Sequence, residues 1–444
     1  MQRSEAEYLA GITTFDITPP VGSPLAGFAA RGIHSSTGIY HPLRGCAVSL
    51  GDGNYDVVII SLELLGTYED LADLIAAAIA ERTGLARERI LINSSHTHCG
   101  PAVRHADRDW HGWIDEDYRA ALPDRVAVAA ARALEHRFPA VLRRGVGHSQ
   151  MGVNRRRPDP DRPGRVDRSM RPYPEGPADP EVPVLVISSA EDSAVRAVLF
   201  SYPCHPTSRG GLRIGGDYVG FALDAVGEAF PYAQPVFLQG CGGDQKPAPT
   251  DRSSTVFDAR SEAEVQLAGE DLASGVIAAA QGDLVEVSGP VAAAFGTIDL
   301  VAEPVTAEAI AEGAASASRH VRDWSRTWSE RLAAGETDHT VRPFELQVVR
   351  IGDLALVGMG AEMTVEHGLR LKRELPTTCR DLAQVIPLGY SNHMIGYVPV
   401  ARQFDEYGYE VYDSQLYHGH SGRWLPETED KIHTSIGILA NEAR

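Results

Sequence analysis

Positive charge is what this sequence has least of. Over 444 residues, 41 Lys and Arg stand against 60 Asp and Glu, a formal net charge of −19. Nucleic acids and anionic membrane surfaces both select a basic footprint, so neither is expected as a partner. Long apolar runs are missing as well, and no stretch approaches the ~18 residues of a membrane span. The opening residues, Met1-Gln2-Arg3-Ser4-Glu5-Ala6-Glu7, are polar, and no apolar stretch of the signal-peptide kind follows them. Cysteine is scarce. Five of them, an odd count without a secretory leader, fit a reduced cytoplasm better than a disulfide framework. Internal repeats and low-complexity linkers are absent. These absences leave a cytoplasmic protein that handles a small-molecule substrate, with homo-oligomerisation open.

What is present is an alternation of strand-like and helix-like segments. Apolar runs at 43–50 and 55–62 read as strands, the second buried on both faces. Leu71, Leu74, Ile75 and Ile79 recur at helical spacing before Gly84. Strands are expected again at 184–188, 195–202, 235–238, 291–301, 344–351, 355–357 and 383–388. Helices are expected over 115–136, 217–230, 259–280, 307–334 and 364–373, with a last one from Glu427. Residues 154–180, crowded with Arg, Asp, Pro and Gly, have no periodicity and read as a lid or a disordered excursion. The alternation predicts one continuous α/β domain with mixed sheets.

Four segments share one design: an apolar strand, a turn of small residues and a polar group. The first is Arg89-Ile90-Leu91-Ile92 running into Ser95-His96-Thr97-His98-Cys99-Gly100-Pro101. Residues two apart in a strand face the same way, roughly 6.5–7 Å apart, so His96 and His98 are expected side by side. That suits one metal ligand with an acid–base neighbour, two ligands on one ion, or a hydrogen-bonded pair without metal. The others are Leu199 to Ser208 with His205, Val357 to Thr364 with Glu362, and the segment Gly389 to Val398. In open α/β sheets ligands collect at such strand ends. Two imidazoles and a carboxylate with an open position make a hydrolytic zinc set. Cys99, Cys204 and Cys241 lie in or beside these segments. Free cysteine is among the most buried residue types, so packing residues beneath the site are expected.

Together these segments resemble the neutral/alkaline (non-lysosomal) ceramidase family, from about Gly11 to the end. The matching words are Asp16-Ile17-Thr18-Pro19-Pro20, Ser95-His96-Thr97-His98-Cys99-Gly100-Pro101, Asn154-Arg155, His205-Pro206-Thr207-Ser208, Gly216-Asp217-Tyr218, Glu362-Met363-Thr364 and Gly396-Tyr397-Val398. The resemblance implies mixed β-sheets with helices on the outside and a single catalytic domain over 1–444. It implies a zinc ion held by His96, His205, Glu362 and Tyr397. It also places His98, Arg155 and Tyr409 around a scissile amide.

The sequence departs from the family at the nucleophile. Where the family has a serine, in an asparagine-x-glycine-x-x-serine-proline loop, this chain reads Gly240-Cys241-Gly242-Gly243-Asp244-Gln245-Lys246-Pro247. The accessory C-terminal β-sandwich of a ceramidase is also not expected, and both facts argue against ceramide as substrate. The expected chemistry is therefore an amidase-like, zinc-dependent hydrolysis of an amide or related acyl bond in a small polar molecule. Metal-activated water would replace the serine, His98 would move the proton, and Arg155 and Tyr409 would stabilise the oxyanion. Lys246 or Asp244 would hold a polar substrate group, with a solvated surface residue and a turn cap as their plainer roles. The rivals are a cysteine hydrolase using Cys241 or Cys99 beside His98, and a non-catalytic, zinc-containing binding protein. Of the remaining histidines (His34, His41, His105, His111, His393, His418 and His420), His418 and His420 are the best candidates for substrate contact. The cluster Arg155-Arg156-Arg157 hints at an anionic or polar small molecule.

Overall fold

A computed structural model describes residues 8–32, 34–68, 70–105 and 113–444. His111 lies outside them. Eight strands form the main path of the larger sheet: β1 (Tyr8–Asp16), β2 (Arg44–Gly51), β3 (Asp56–Leu62), β4 (Ile90–Ser94), β5 (Phe138–His148), β6 (Glu181–Ser189), β7 (Val195–Tyr202) and β8 (Gln234–Gln239). Their spatial order is β8-β7-β6-β5-β1-β2-β3-β4. Only its two outer pairs, β3/β4 and β7/β8, are parallel; the pairs between them are antiparallel. The smaller sheet runs β9 (Val291–Val301), β10 (Val341–Ile351), β11 (Leu354–Met359), β12 (Gln384–Leu388), and its last pair is parallel.

A parallel pair needs a crossover, and each of the three has a helix in its connection. These are α1 (Asp70–Thr83) between β3 and β4, α2 (Asp217–Ala229) between β7 and β8, and α3 (Val365–Thr378) between β11 and β12. In α1 the buried Leu71, Ala72, Ile75, Ala76 and Ile79 recur at helical spacing, and Gly84, with φ +74°, lets the chain turn away.

The two sheets pack on one another. Leu50, Ile59, Leu91, Leu142, Leu199 and Leu238 of the larger sheet share a core with Val349, Ile351, Leu356 and Ile386 of the smaller. Helices cover the outer faces. Helix 116–135 lies with α1, helix 262–281 with α2, and the C-terminal helix Thr428–Glu442 with α3. The expected fold, mixed sheets with helices outside, is the one found. No helix among the described residues is long and apolar enough to cross a membrane.

Three features differ from the sequence reading. Strand β5 was not anticipated, because Arg143, Arg144, Gly145 and Gly147 interrupt its apolar pattern. Gly147 is needed there: a Cβ would stand 2.0 Å from the Gly275 carbonyl of the overlying helix. The helix expected over 307–334 is two, Ala307–Ala314 and Arg319–Ala333, broken at Ala315-Ser316-Ala317-Ser318. Serines compete with the helix for backbone hydrogen bonds and so favour such a break. The excursion at 154–180 is ordered. Isolated bridges Asn154↔Tyr173, Arg156↔Arg171 and Pro158↔Val166 fold it on itself, and the Val166 amide donates to the Glu406 carbonyl at 3.1 Å.

Candidate metal centre

All three parallel pairs send their C-terminal ends to one place, and a buried side chain ties them together there. Asn93 of β4 accepts from the Gln239 amide at 2.7 Å and donates to the Gly389 carbonyl at 2.8 Å. Loops leaving these ends carry His96, His205, Glu362 and Tyr397.

His96 and His98 meet, but not by strand pleat. Strand β4 ends at Ser94, and His96 has φ +67°, left-handed backbone that a non-glycine residue adopts only under constraint. The turn brings the two Nε2 atoms to 3.2 Å, far closer than two side chains on one strand face. The Nδ1 of His96 lies 2.6 Å from the Leu65 carbonyl, and that of His205 lies 2.6 Å from the Gly242 carbonyl. Both must donate there, so each Nε2 turns a lone pair inward.

The inward set is tight. Glu362 Oε2 stands 3.2 Å from His96 Nε2 and 3.1 Å from His205 Nε2, and the Tyr397 hydroxyl is 3.0 Å from His205 Nε2. Lone pairs of two imidazoles and a carboxylate facing one another repel unless a cation or protons lie among them. Ligands about 2.0–2.1 Å from one tetrahedral ion are separated by roughly 3.3 Å, close to what is found. The donors therefore fit a divalent metal ion. A second, overlapping group, His96, His98 and His205, has its ring nitrogens within 4.8 Å of one another and could also hold an ion.

Burial and mutual charge shift several of these groups. Burial would raise the Glu362 carboxyl, but the His96 and His205 imidazoles hold it well below the usual range. Burial, with Arg155 nearby, pushes His205 down to about 4. His98 is likewise held well below its ordinary value by burial and by His96 and His205. The Tyr397 phenol is pushed well up by burial and by the Glu362 charge.

Arg155 sits behind the two tyrosines, its guanidinium 5.5 Å from the Tyr397 ring centroid and 5.7 Å from that of Tyr409. Its Nε donates to Glu410 at 2.7 Å, and Arg156 Nη1 donates to the other Glu410 oxygen at 2.6 Å. The π-helical turn Tyr409–Asp413 sends Tyr409 to a cavity and Glu410 to the arginines. The arginine cluster is thus not an open anion site, since Glu410 and Glu406 neutralise Arg156 and Glu410 pairs Arg155. Arg157 is exposed.

The cavity, about 150 Å³, is walled on one side by His96, His98, Glu362, Tyr397 and Tyr409. Leu25, Phe28, Leu65 and Val103 make an apolar wall. Sequence reasoning missed Gly27 and Phe28. Phe28 packs on His98 at 4.7 Å between centroids, and Gly27 has φ +95°. A Cβ on Gly27 would stand 2.5 Å from the His98 ring. A glycine between apolar residues shortly after Thr18-Pro19-Pro20 was the available signal.

Other expected residues lie elsewhere. Asp244 is fully buried and spends its carboxylate on structure: it accepts from the Val365 amide at the start of α3 at 2.8 Å and from Asn154 and Gln403 at 3.2 Å each. That is the capping role, not substrate contact. Lys246 is not among the described residues that line the cavity; its Nζ lies 4.7 Å over the Phe257 ring. Burial and Arg155 push its ammonium down to about 8. All five cysteines are free and buried, and none is among the described lining residues. His418 lines the cavity, whereas His420 is buried against Trp424, its Nε2 3.1 Å from the Ile395 carbonyl. His41 is paired with Asp224, and His34 and His105 are exposed.

Comparison with known proteins agrees with the sequence resemblance. One stretch of 80 residues, 18% of this chain, is 41% identical to a neutral ceramidase of Mycobacterium tuberculosis and spans 12% of that protein. Two solved structures share the fold over 98% of this chain, each at 20% identity. Neutral ceramidase from Pseudomonas aeruginosa superposes with a TM-score of 0.75 over 74% of its own chain. A ceramidase complexed with C2 does so with 0.76 over 75%. No family model matches the sequence. The chain has the neutral-ceramidase fold and resembles those enzymes in sequence over part of its length.

Proposed function

We propose that this chain is a zinc-dependent hydrolase of an amide or related acyl bond in a small polar substrate. One observation carries the reading. His96 Nε2, His205 Nε2, Glu362 Oε2 and the Tyr397 hydroxyl, from three separate crossover units, converge through contacts of 3.0–3.2 Å, and His96, Glu362 and Tyr397 stand on the wall of a cavity. Zinc is an ion that two imidazole nitrogens and a carboxylate at such spacing suit, and when bound it would supply Lewis acidity toward a carbonyl or a water.

The protein's own groups would do the rest. In hydrolysis a water oxygen bonds to the acyl carbon, the C–N bond breaks, and the amine departs with a proton that the water gave up. His98 faces the cavity beside His96, with its Nδ1 unbonded. Its depressed basicity keeps it neutral and able to take that proton and pass it to the leaving nitrogen. Arg155 holds positive charge against Tyr397 and Tyr409 throughout, which favours negative charge developing on the carbonyl oxygen. Asp244 acts one step removed, by fixing the start of α3 three residues after Glu362. Lys246 stands where the resemblance puts the family serine, outside the described lining of the cavity. No serine nucleophile is needed, and buried thiols, with Cys241 and Cys204 pushed above the ordinary range by burial, offer none.

The test is metal analysis of purified protein together with a panel of short amides, N-acyl compounds and lactones. About one zinc per chain and amide turnover that His96→Ala abolishes are expected. Zinc-free protein in which His96→Ala changes nothing would sink the proposal.

A further inference from the structure

A second cavity, of about 430 Å³, lies where β8 meets β3 without pairing with it; between the two strands the Ser61 hydroxyl donates to the Phe237 carbonyl at 2.6 Å. It shares no described lining residue with the cavity of the metal centre. Phe15, Leu43, Val219, Leu223, Val236 and Phe237 give it an apolar wall. The charged side chains among its described lining residues are Asp16, Arg44 and Glu63. Arg44 pairs with Asp224, whereas neither Asp16 nor Glu63 has an ion-pair partner among the described residues. The charge left on the lining is therefore negative.

Glu63 is only 2% exposed. One of its oxygens accepts from the Arg44 amide at 2.6 Å, and the other, Oε1, has no hydrogen-bond partner among the described residues. The Ser95 hydroxyl, equally buried in the same lining, has none either. Buried polar atoms are nearly always hydrogen-bonded, so orphans of this kind point to a group that the chain does not itself supply. Water meets the hydrogen-bonding need but not the charge. Burial pushes the Glu63 carboxyl upward, and His41 and Arg44 offset that only in part. A cation at Oε1 completes the compensation. Calcium takes about six to eight oxygens. This lining instead sets one orphan carboxylate oxygen beside an apolar wall, which suits an organic cation with a carbon body.

We propose that this cavity binds a small organic ammonium ion, its N–H donating to Glu63 Oε1 and its carbon body lying against the apolar wall. The site is separate from the hydrolysis proposed above and stands whether or not that reading holds. It is joined to the metal centre through the backbone. Glu63 lies between Leu62 and Leu64, whose carbonyls accept from the Ser95 and His96 amides at 2.8 and 2.9 Å. An occupant therefore touches the segment that holds the turn at His96.

The experiment is calorimetry on the full-length, metal-loaded protein with benzylammonium, benzyl alcohol and benzoate, and with Ca²⁺ alone in a separate titration. Wild type should bind benzylammonium and prefer it to the alcohol and the benzoate. A charge-assisted hydrogen bond is worth roughly tenfold to a hundredfold in affinity. Glu63→Gln, which keeps the shape and removes the charge, should lose about that factor, and Asp16→Asn, at an exposed position, should lose less. His205→Ala should bind the ammonium as wild type does. Loss of binding in His205→Ala would put the amine on the metal instead and overturn the assignment. Equal affinity for benzyl alcohol, undiminished binding in a folded Glu63→Gln protein, or Ca²⁺ binding in place of the amine would do the same. A wild-type crystal soaked in 4-bromobenzylammonium decides the matter even if Glu63→Gln does not fold. Bromine located beside Phe237 by anomalous scattering supports the site, and bromine found only in the cavity of the metal centre refutes it.

Discussion

Asn93 and Gln239 hydrogen-bond like partners in a sheet although their strands are not paired. The Gln239 amide donates to Asn93 Oδ1 at 2.7 Å, and Asn93 Nδ2 reaches the Gln239 carbonyl at 3.3 Å. The same Nδ2 donates to the Gly389 carbonyl, so one buried amide ties the ends of β4, β8 and β12. Replacing Asn93 with Leu leaves three backbone groups without this partner, each a loss of roughly 1–3 kcal/mol when buried. Asn93→Leu should therefore destabilise by several kcal/mol in urea melts and weaken metal retention. An unchanged midpoint would show that the strand ends are held by something else.

Removing the ion should loosen the protein. A metal bound only to the folded state stabilises it by about 4 kcal/mol at a thousandfold excess over its dissociation constant. Chelation should lower the melting temperature of wild type, and zinc should restore it. His205→Ala should melt at the apo temperature and ignore added zinc. A wild-type protein indifferent to chelator and zinc alike would contradict the donor geometry.

Glu410 stands between two buried guanidiniums. Taking away the shared partner of a buried ion pair is strongly destabilising, about 3–5 kcal/mol. Glu410→Ala should lose stability on that scale, and Glu410→Gln, which retains the hydrogen-bond acceptor, should lose less. If both variants melt with wild type, the Arg155–Glu410–Arg156 contact has no energetic weight.

A stacked imidazole pair, one member buried and the other half-buried, should set the acid limit of stability. His367 Nδ1 and His433 Nε2 are 3.1 Å apart with rings stacked at 9°. Burial pushes His367 down to about 4, and burial with His367 alongside pushes His433 to about 3. Unfolded histidines titrate near 6.5, so below that pH the unfolded chain binds more protons than the folded one. Stability is full above about pH 6.5 and falls toward pH 4, by up to about 1.4 kcal/mol per pH unit for each group. Urea melts at pH 7, 6 and 5 should show this decline, and a His367→Gln/His433→Gln variant should show a shallower one. Parallel slopes in the two proteins would remove the pair as the cause.

Thiol chemistry should be silent. Iodoacetamide applied to native protein is expected to leave activity intact, because Cys99 and Cys241 are buried and their thiols are pushed upward, Cys99 to about 11. Inactivation with the metal retained would instead favour a cysteine nucleophile.

Local pattern pointed to most of the elements and to His96, His205 and Glu362, because an apolar strand ending in a small-residue turn is a local signal; Tyr397 came only from the family resemblance. Strand β5 was invisible, since its glycines answer to a helix about 130 residues later, and contacts of that range leave no period in the chain. For the same reason His96 and His98 were placed side by side on a strand, when a left-handed turn held by the Leu64 and Leu65 carbonyls decides their meeting. Asp244 read equally as a substrate-site group or a turn cap, and only the packing of α3 shows its carboxylate taking the Val365 amide. Arg155 and Arg156 read as an anion site until Glu410, over 250 residues away, closed on them. Covalent neighbours determine what a segment can become. Which charge finds which partner is settled only when distant segments pack, because a buried ion answers to whatever lies within a few ångströms, wherever that group stands in the chain.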